Sequence, residues 1–298
     1  MKHLLKLEGM PRQAMEEILA SAKAIKARRG VGETKPLDGQ TWAMIFTKSS
    51  TRTRVSFEVG IRELGGSVMF LNANDMQLGR GELIKDTARV LGRMVHGAVI
   101  RTYAQSDVEE FAQYSGIPII NALTDDEHPC QILTDIFTFQ ERRGPIQGKV
   151  VTFVGDGACN VPVSWVHAAA ALSFELRIAA PSEFQPSAET LAKAGGNVAC
   201  TEDIRAAVKG ADMVYTDVWV SMGMEAKAEE RLAKLAGYQI NGELMRLTKP
   251  NALVMHCLPA YRGKEIDAET FEAHADTIFT QAENRLHTQK AILAWLAI

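Results

Sequence analysis

Residues 49–54, Ser-Ser-Thr-Arg-Thr-Arg, set four hydroxyls and two guanidinium groups side by side. An apolar run at 42–46 precedes them, and Phe57, Ile61 and Leu64 follow at helical spacing, so the stretch marks a strand-to-helix junction. A helix start leaves about four backbone N–H groups unpaired and carries the positive end of the helix dipole. With Arg52 and the hydroxyls of Ser50, Thr51 and Thr53 added, such a start would cradle a small dianion. Taken alone, the same residues read as a Ser N-cap followed by solvated arginines. Arg52 and Arg54 are two apart and cannot share one helix face. One would meet a ligand while Arg54 ties down structure.

Other residues with chemical capacity also fall after strand-like runs. His128 stands just before Pro129, a residue suited to the first turn of a helix. Its imidazole would donate to a ligand oxygen, with Gln131 in the same turn, or would simply cap and pack. Arg101 closes the run Ala98-Val99-Ile100, where it either meets solvent or points into a crevice. Residues 150–161, "VVTFVGDGACNV", have the strand, glycine turn and helix start of a dinucleotide site, but Asn160 stands where the third glycine is needed. That exchange weakens a nicotinamide reading and supplies a side-chain amide. Asp217 ends another strand, with Ser221 and Met222 in a loop closed by Gly223; cation and anion partners of this kind suit an amino-acid head group. Cys257 precedes Leu258 and Pro259. A cysteine is usually an inert small hydrophobe, yet at a strand end it would reach a substrate. His256 and Cys257 are adjacent, so on a strand they are expected to face opposite ways, which argues against a shared metal.

The elements that must position these residues alternate along all 298 residues. Met15, Ile18, Leu19, Ala22 and Ile25 recur at helix spacing after Pro11. Strand-like runs lie at 42–46, 67–71, 98–100 and 117–120, and a second series at 150–154, 176–180, 198–200, 213–215 and 252–255. Strands separated by helices imply parallel sheets covered on both faces. Nine or so strands over this length predict an α/β fold of two doubly wound domains with parallel central sheets, joined by helices. The seam is expected near 125–147, and residues 283–296 read as a closing helix. Ligand crevices in such folds lie at the carboxyl ends of strands, where loops from both halves would meet.

Composition sets bounds. Lys and Arg number 33 against 36 Asp and Glu, a net charge of −3, so no excess of charge points to nucleic acid or an anionic membrane. A phosphate site must therefore be local. The four cysteines are scattered with no C-x-x-C pair, which fits reduced thiols in a cytoplasmic protein better than a disulfide framework or structural zinc. No apolar run approaches the roughly 18 residues of a membrane span, and the amino end is too short in its apolar part for a signal peptide.

Together, "FTKSSTRTRVSFE", "HPCQ", "DVWVSMG", "HCLP" and "ENRLHT" resemble, in order and spacing, the aspartate/ornithine carbamoyltransferase family, and its ornithine-using members in particular. The resemblance runs over essentially the whole chain. It implies transfer of the carbamoyl group of carbamoyl phosphate to the side-chain amine of L-ornithine, giving citrulline and phosphate, in arginine biosynthesis. It also implies a carbamoyl phosphate-binding domain at 1–128 with a terminal helix at 283–298 packed back on it, and an ornithine-binding domain at 129–282. By resemblance Ser50, Thr51, Arg52 and Thr53 hold the phosphate. Arg101, His128 and Gln131 hold the carbamoyl oxygen and amide, with Pro129 and Cys130 in the same motif. Gln77 reaches the neighbouring subunit's site in a homotrimer. Asn160, Asp217, Ser221 and Met222 take ornithine, and Cys257, Leu258 and Arg285 complete the site. Arg52, Arg101, His128 and Cys257 are the implied catalytic groups, and the implied partners are the two substrates alone, with no cofactor, metal, nucleic acid or membrane.

Departures from the family's pattern are Thr47 and Ser49, where Glu and Pro are frequent, and Ala158-Cys159 before Asn160. The nearest rival is a sister enzyme for putrescine, aspartate or an acylated ornithine; aspartate members carry proline where Cys257 stands. A nicotinamide dehydrogenase and a non-catalytic relative are the rivals from other classes.

Overall fold

Helices follow the strands one after another, and every strand pair is parallel. The computed structural model describes residues 1–32, 34–72, 81–221, 223 and 225–297. The chain divides into two compact units, Met1–Phe137 with Asn284–Ile298, and Thr138–Glu283.

In the first unit the strands are β1 (Thr41–Phe46), β2 (Ser67–Asn72), β3 (Gly97–Arg101) and β4 (Ile119–Leu123). Helices α1 (Arg12–Arg28), α2 (Thr51–Glu63), α3 (Ile84–Leu91) and α4 (Gln105–Ser115) alternate with them. The sheet order is β2-β1-β3-β4. Strand β3 is buried at all five positions, as a strand covered on both faces must be. On one face Ala43, Ile45, Ala98, Ile100 and Ile119 pack with Ala88, Val108 and Phe111 of α3 and α4. The strand begins at Ile119, two residues into the apolar run at 117–120, and continues to Leu123 through the fully buried polar residue Asn121. Its amide donates to the Leu5 carbonyl at 2.8 Å.

Helix α5 (Pro129–Arg143) opens at its proline; the division between units falls within it. The second unit holds β5 (Val150–Val154), β6 (Glu175–Ala179), β7 (Val198–Thr201), β8 (Met213–Thr216) and β9 (Leu253–His256), in the order β7-β6-β5-β8-β9. Its helices are α6 (Asn160–Leu172), α7 (Ala188–Ala192), α8 (Ile204–Val208), α9 (Ala228–Leu235), α10 (Gly242–Met245) and α11 (Ala268–Ala273). Val154, Val214, Val254, Ile266 and Ile278 belong to its core. The second division falls within α12 (Ala275–Leu296), which starts about two turns before the expected 283. No glycine or proline separates it from α11, so the sequence offers no signal for its start.

In each sheet the winding reverses once. The chain passes from β1 to β2 on one side and returns to β3 on the other; β5 to β6 and β7, then β8, repeats the device. Register pairs Phe46 with Arg101 at the first reversal and Val154 with Thr216 at the second, and Thr216 pairs in turn with His256 of the next strand. Loops leaving a reversal point diverge and leave a crevice. Every candidate residue that the structure describes on the strands or the loops after them sits at a carboxyl end.

Strand β3 reaches that register only because Gly97 has no side chain. A Cβ there would lie 2.5 Å from Cζ3 of Trp42, whose ring is fully buried. Gly97→Ala should cost about 1–3 kcal/mol through overpacking. The cost is read as a lower urea midpoint at unchanged slope; an unchanged midpoint would show that the indole has room to move.

Candidate active site

Ser50 caps α2 from extended backbone, its Oγ accepting from the Thr53 amide at 3.3 Å. That bond uses two of the expected anion contacts on each other. The Thr53 N–H is therefore taken, and Thr51 is exposed, so the cradle is narrower than four consecutive side chains would suggest. Thr53 itself is completely buried. Its Oγ1 accepts from Arg101 Nη1 at 3.5 Å and, in a short contact, from Arg285 Nη2. With both lone pairs engaged, the hydroxyl hydrogen remains to donate. Nε of Arg52 is buried with no hydrogen-bond partner among the described residues. Arg54 takes the structural part: its guanidinium carbon lies 3.7 Å from the Phe70 ring centre and its Nε 3.8 Å from Glu58.

Arg285 reaches Thr53 because α12 lies close against α2. A Cβ on Gly60 would stand 3.2 Å from Cγ of Lys290, and the buried Lys290 ammonium meets Glu63 at 2.7 Å. Two loops are joined in the same way. Lys48, almost wholly buried, forms an ion pair with Asp125 and lies 4.2 Å from the centre of the Tyr103 ring. Thr47 donates through its amide to the Arg101 carbonyl at 2.9 Å.

His128 is buried, and its pKa lies well below the usual value for imidazole. Burial is the main cause, and the Arg285 and Arg101 charges add to it. At neutral pH it is an uncharged ring among guanidinium groups, able to donate one hydrogen bond. Gln131 is equally buried; its Nε2 donates to Asp135 at 2.8 Å, and Oε1 has no partner among the described residues. That leaves an acceptor for an amide hydrogen. Cys130 points its thiol at the Asn121 carbonyl, 3.3 Å away, and burial pushes its pKa up to about 12. It is a packed thiol with no nucleophilic role.

In the second unit Asp217 and Cys257 each follow one member of the pair Thr216–His256, so their side chains emerge together. Cys257 Sγ donates to Asp217 Oδ1 at 2.9 Å, and the Val218 amide donates to the same oxygen at 2.7 Å. Burial raises the Asp217 pKa, and nearby His256 together with these hydrogen bonds offsets only part of the rise. Opposite facing of His256 and Cys257 does not hold. Donor atoms of Asp217, His256 and Cys257 all lie within 4.8 Å of one another. Strand β9 ends at His256 and Leu258 has φ of 58°, so alternation stops one residue before Cys257. Both imidazole nitrogens are nevertheless engaged, Nδ1 by the Leu258 amide at 2.9 Å and Nε2 with Glu265 at 3.1 Å.

Asn160 is the first residue of α6 and Ser221 is half-buried in the loop after β8. Arg231 links their neighbourhoods: it forms an ion pair with buried Asp156 of the glycine turn and donates to the Trp219 carbonyl at 2.8 Å. Gln77 and Met222 lie outside the described residues. The sequence reading missed Lys48, Arg231, Glu265 and Gln281 as supports, since each acts on a segment far away in sequence or through backbone groups.

Guanidinium groups gathered at one reversal point, and a half-buried acid–thiol pair just past the pairing of β8 with β9, suit a group-transfer enzyme with two substrates. Residues 2–141 match the family described as "Aspartate/ornithine carbamoyltransferase, carbamoyl-P binding domain", and residues 147–296 match its "Asp/Orn binding domain". The chain belongs to the aspartate/ornithine carbamoyltransferase family. It is 54% identical over 300 residues to an ornithine carbamoyltransferase of Akkermansia muciniphila, covering 100% of this chain and 98% of that one. The fold is similar to that of ornithine carbamoyltransferase from Pyrococcus furiosus, with TM-score 0.92 and 43% identity over 99% and 97% of the two chains. An anabolic ornithine carbamoyltransferase from Campylobacter jejuni gives TM-score 0.93 and 41% identity over 99% of each chain. No helix among the described residues is long and apolar enough to cross a membrane.

The low pKa of His128 has a measurable consequence. The unfolded chain takes up a proton near pH 6.5 that the folded protein resists, so stability falls as pH drops below that value. His3 and His274, also lowered chiefly by burial, add to the slope. His128→Gln should make the fall shallower by up to about 1.4 kcal/mol per pH unit in urea titrations between pH 7 and 5.5. An unaltered slope would mean that folded His128 accepts its proton without resistance.

Proposed function

We propose that the protein transfers the carbamoyl group of carbamoyl phosphate to the side-chain amine of L-ornithine, forming citrulline and phosphate. The observation that carries the first half is Thr53, whose hydroxyl oxygen draws two guanidinium groups to the amino end of α2. A phosphate dianion bound there meets Arg52, Arg101, Arg285 and helix amides together. Neutral His128 and the guanidinium of Arg101 stabilise the carbonyl oxygen as it becomes an alkoxide, and Gln131 Oε1 accepts from the carbamoyl amide. These donors gain strength as charge develops, which is what lowers a barrier.

The amine must lose a proton before it attacks. A lysine-like amine has a reference pKa of about 10.4, so selecting its neutral form at pH 7 costs about 4–5 kcal/mol. Asp217, with its pKa raised by burial, is a better base than an ordinary carboxylate. Its contact with Cys257 offers a route for the proton, and the departing phosphate dianion is a final acceptor. The amine then bonds to the carbonyl carbon, the carbon–oxygen bond to phosphate breaks, and no redox step occurs. Asn160, Ser221 and Met222 hold the amino-acid head group, which putrescine lacks. Leu258 completes the carbamoyl contacts.

The family also supports a homotrimer with Gln77 in a neighbour's site. Exposed Val55, Met69, Val90 and Met94 of the first unit supply apolar surface for such an interface. A cytoplasmic role in arginine biosynthesis fits the relative described as anabolic.

Offered ornithine, putrescine, N-acetylornithine and aspartate separately with carbamoyl phosphate, the protein should form product at least a hundredfold faster with ornithine. Preference for another amine would overturn the substrate assignment. Arg52→Ala should weaken carbamoyl phosphate binding and slow turnover together. Loss of a charge-assisted contact is worth roughly 1.5–3 kcal/mol, about ten- to a hundredfold in affinity by calorimetry. Unchanged affinity would contradict the cradle.

A further inference from the structure

We infer that Glu265, a fully buried carboxylate outside every motif, is the positioning residue for the turn that carries Cys257 and Leu258. The inference rests on the proposed carbamoyl transfer for its kinetic meaning, though its geometry stands apart from it.

The turn leaves β9 at His256 and runs against ordinary backbone preference, with Leu258 at φ 58°. A side chain in that region is strained, and such a conformation persists only where neighbours hold it. Two of its amides are held by one small relay. Leu258 N–H donates to His256 Nδ1 at 2.9 Å, and Tyr261 N–H donates to Glu265 Oε1 at 2.6 Å. Since Nδ1 receives a hydrogen, it presents its lone pair, and the ring hydrogen lies on Nε2. Nε2 therefore donates to the same Glu265 Oε1 at 3.1 Å. His256 and Glu265 are both buried to 1% exposure or less. Rotating the ring would place N–H against N–H at Leu258, so the carboxylate fixes the tautomer as well as the ring plane.

The relay is itself firmly seated. The Glu265 carbonyl accepts from Ile240 N–H at 2.9 Å, and the His256 amide donates to Gln281 Oε1 at 2.9 Å. Every hydrogen bond of the carboxylate in the structure passes through Oε1, while buried Oε2 has no partner among the described residues. One oxygen thus determines where Leu258 sits and, through the residue before it, where the Cys257 thiol meets Asp217. The demand on Glu265 is the position of an acceptor, and its charge is secondary.

That distinction separates two conservative variants. Glu265→Gln keeps an acceptor oxygen in place without the charge. Glu265→Asp keeps the charge but withdraws the oxygen by about one C–C bond, roughly 1.5 Å. A displacement of that size costs on the order of a hundredfold in a positioned reaction. Glu265→Asp should lower kcat 30- to 100-fold while the KM for carbamoyl phosphate stays within threefold; Glu265→Gln should stay within fivefold in kcat. Labelling of Cys257 by iodoacetamide, read by peptide mass mapping, should rise at least fivefold in Glu265→Asp as the thiol leaves Asp217, and stay within twofold in Glu265→Gln. Equal losses in the two variants would make charge the operative property and overturn the inference. So would wild-type turnover and labelling in Glu265→Asp. Should the wild-type protein form no citrulline, the functional proposal fails alone, and the labelling comparison still decides the role of Glu265.

Discussion

A parallel sheet sends the carboxyl ends of all its strands to one edge, and register alone decides which residues arrive there together. Phe46 beside Arg101 sets the loop to α2 next to a guanidinium; Thr216 beside His256 sets Asp217 next to Cys257. Because side chains alternate along a strand, a slip of one residue would turn each of these groups to the opposite face. The chemistry depends on features with no chemistry of their own, such as Gly97 beneath the Trp42 ring and the buried apolar residues of β3, β5 and β9. Packing of this kind tolerates little volume change, which makes the register stiff.

The two sites that register builds have opposite electrical character. At α2, guanidinium groups converge on one threonine hydroxyl, and the one titratable ring among them is held neutral. Like charges gathered in this way repel one another, so the dianion of the proposed reaction would relieve a cost already present in the fold. In the second unit, burial makes Asp217 reluctant to ionise, and its nearest hydrogen-bonding side chain is a thiol. A carboxylate in that state takes a proton readily. One unit gathers positive charge and the other holds a carboxyl group that takes up a proton readily; in the proposed transfer these would meet the two demands of moving an acyl group from phosphate to an amine.

Much of this was legible in the sequence because its signals are local. Ser50 before Thr51-Arg52-Thr53 announces a helix start, Pro129 announces another, and the alternation of apolar runs gives two parallel sheets. Boundaries blurred where local chemistry misleads. Asn121 seemed to end a strand that in fact buries it against the Leu5 carbonyl, and α12 begins at Ala275 where nothing in the sequence interrupts the helical pattern. Arg285 stood out only within a recognised motif, since its meeting with Thr53 spans 232 positions. Lys48 sat beside the hydroxyl-rich stretch without a role of its own, and Arg231 and Glu265 left no trace at all. Each is a charged residue whose partner is a backbone group, an imidazole or an acid elsewhere in the chain, and no periodicity encodes such a meeting.

The two cysteines of the candidate list make the same point from within one residue type. Cys130 and Cys257 both follow a His or His-Pro pair, and both were plausible participants on sequence. Cys130 lies inside a helix with its sulfur against a carbonyl, and burial holds its pKa near 12, so the thiolate is out of reach. Cys257 stands one residue beyond a strand, half-exposed, with a carboxylate oxygen at 2.9 Å. Composition cannot tell these thiols apart; the end of a strand can. Where β9 stops, alternation stops with it, and His256 can brace a turn from the interior while the next residue meets the acid that follows the neighbouring strand. A fold that places its reactive groups just past the last hydrogen-bonded pair gains their freedom of direction, but needs a buried bond from outside the strand to restore their precision.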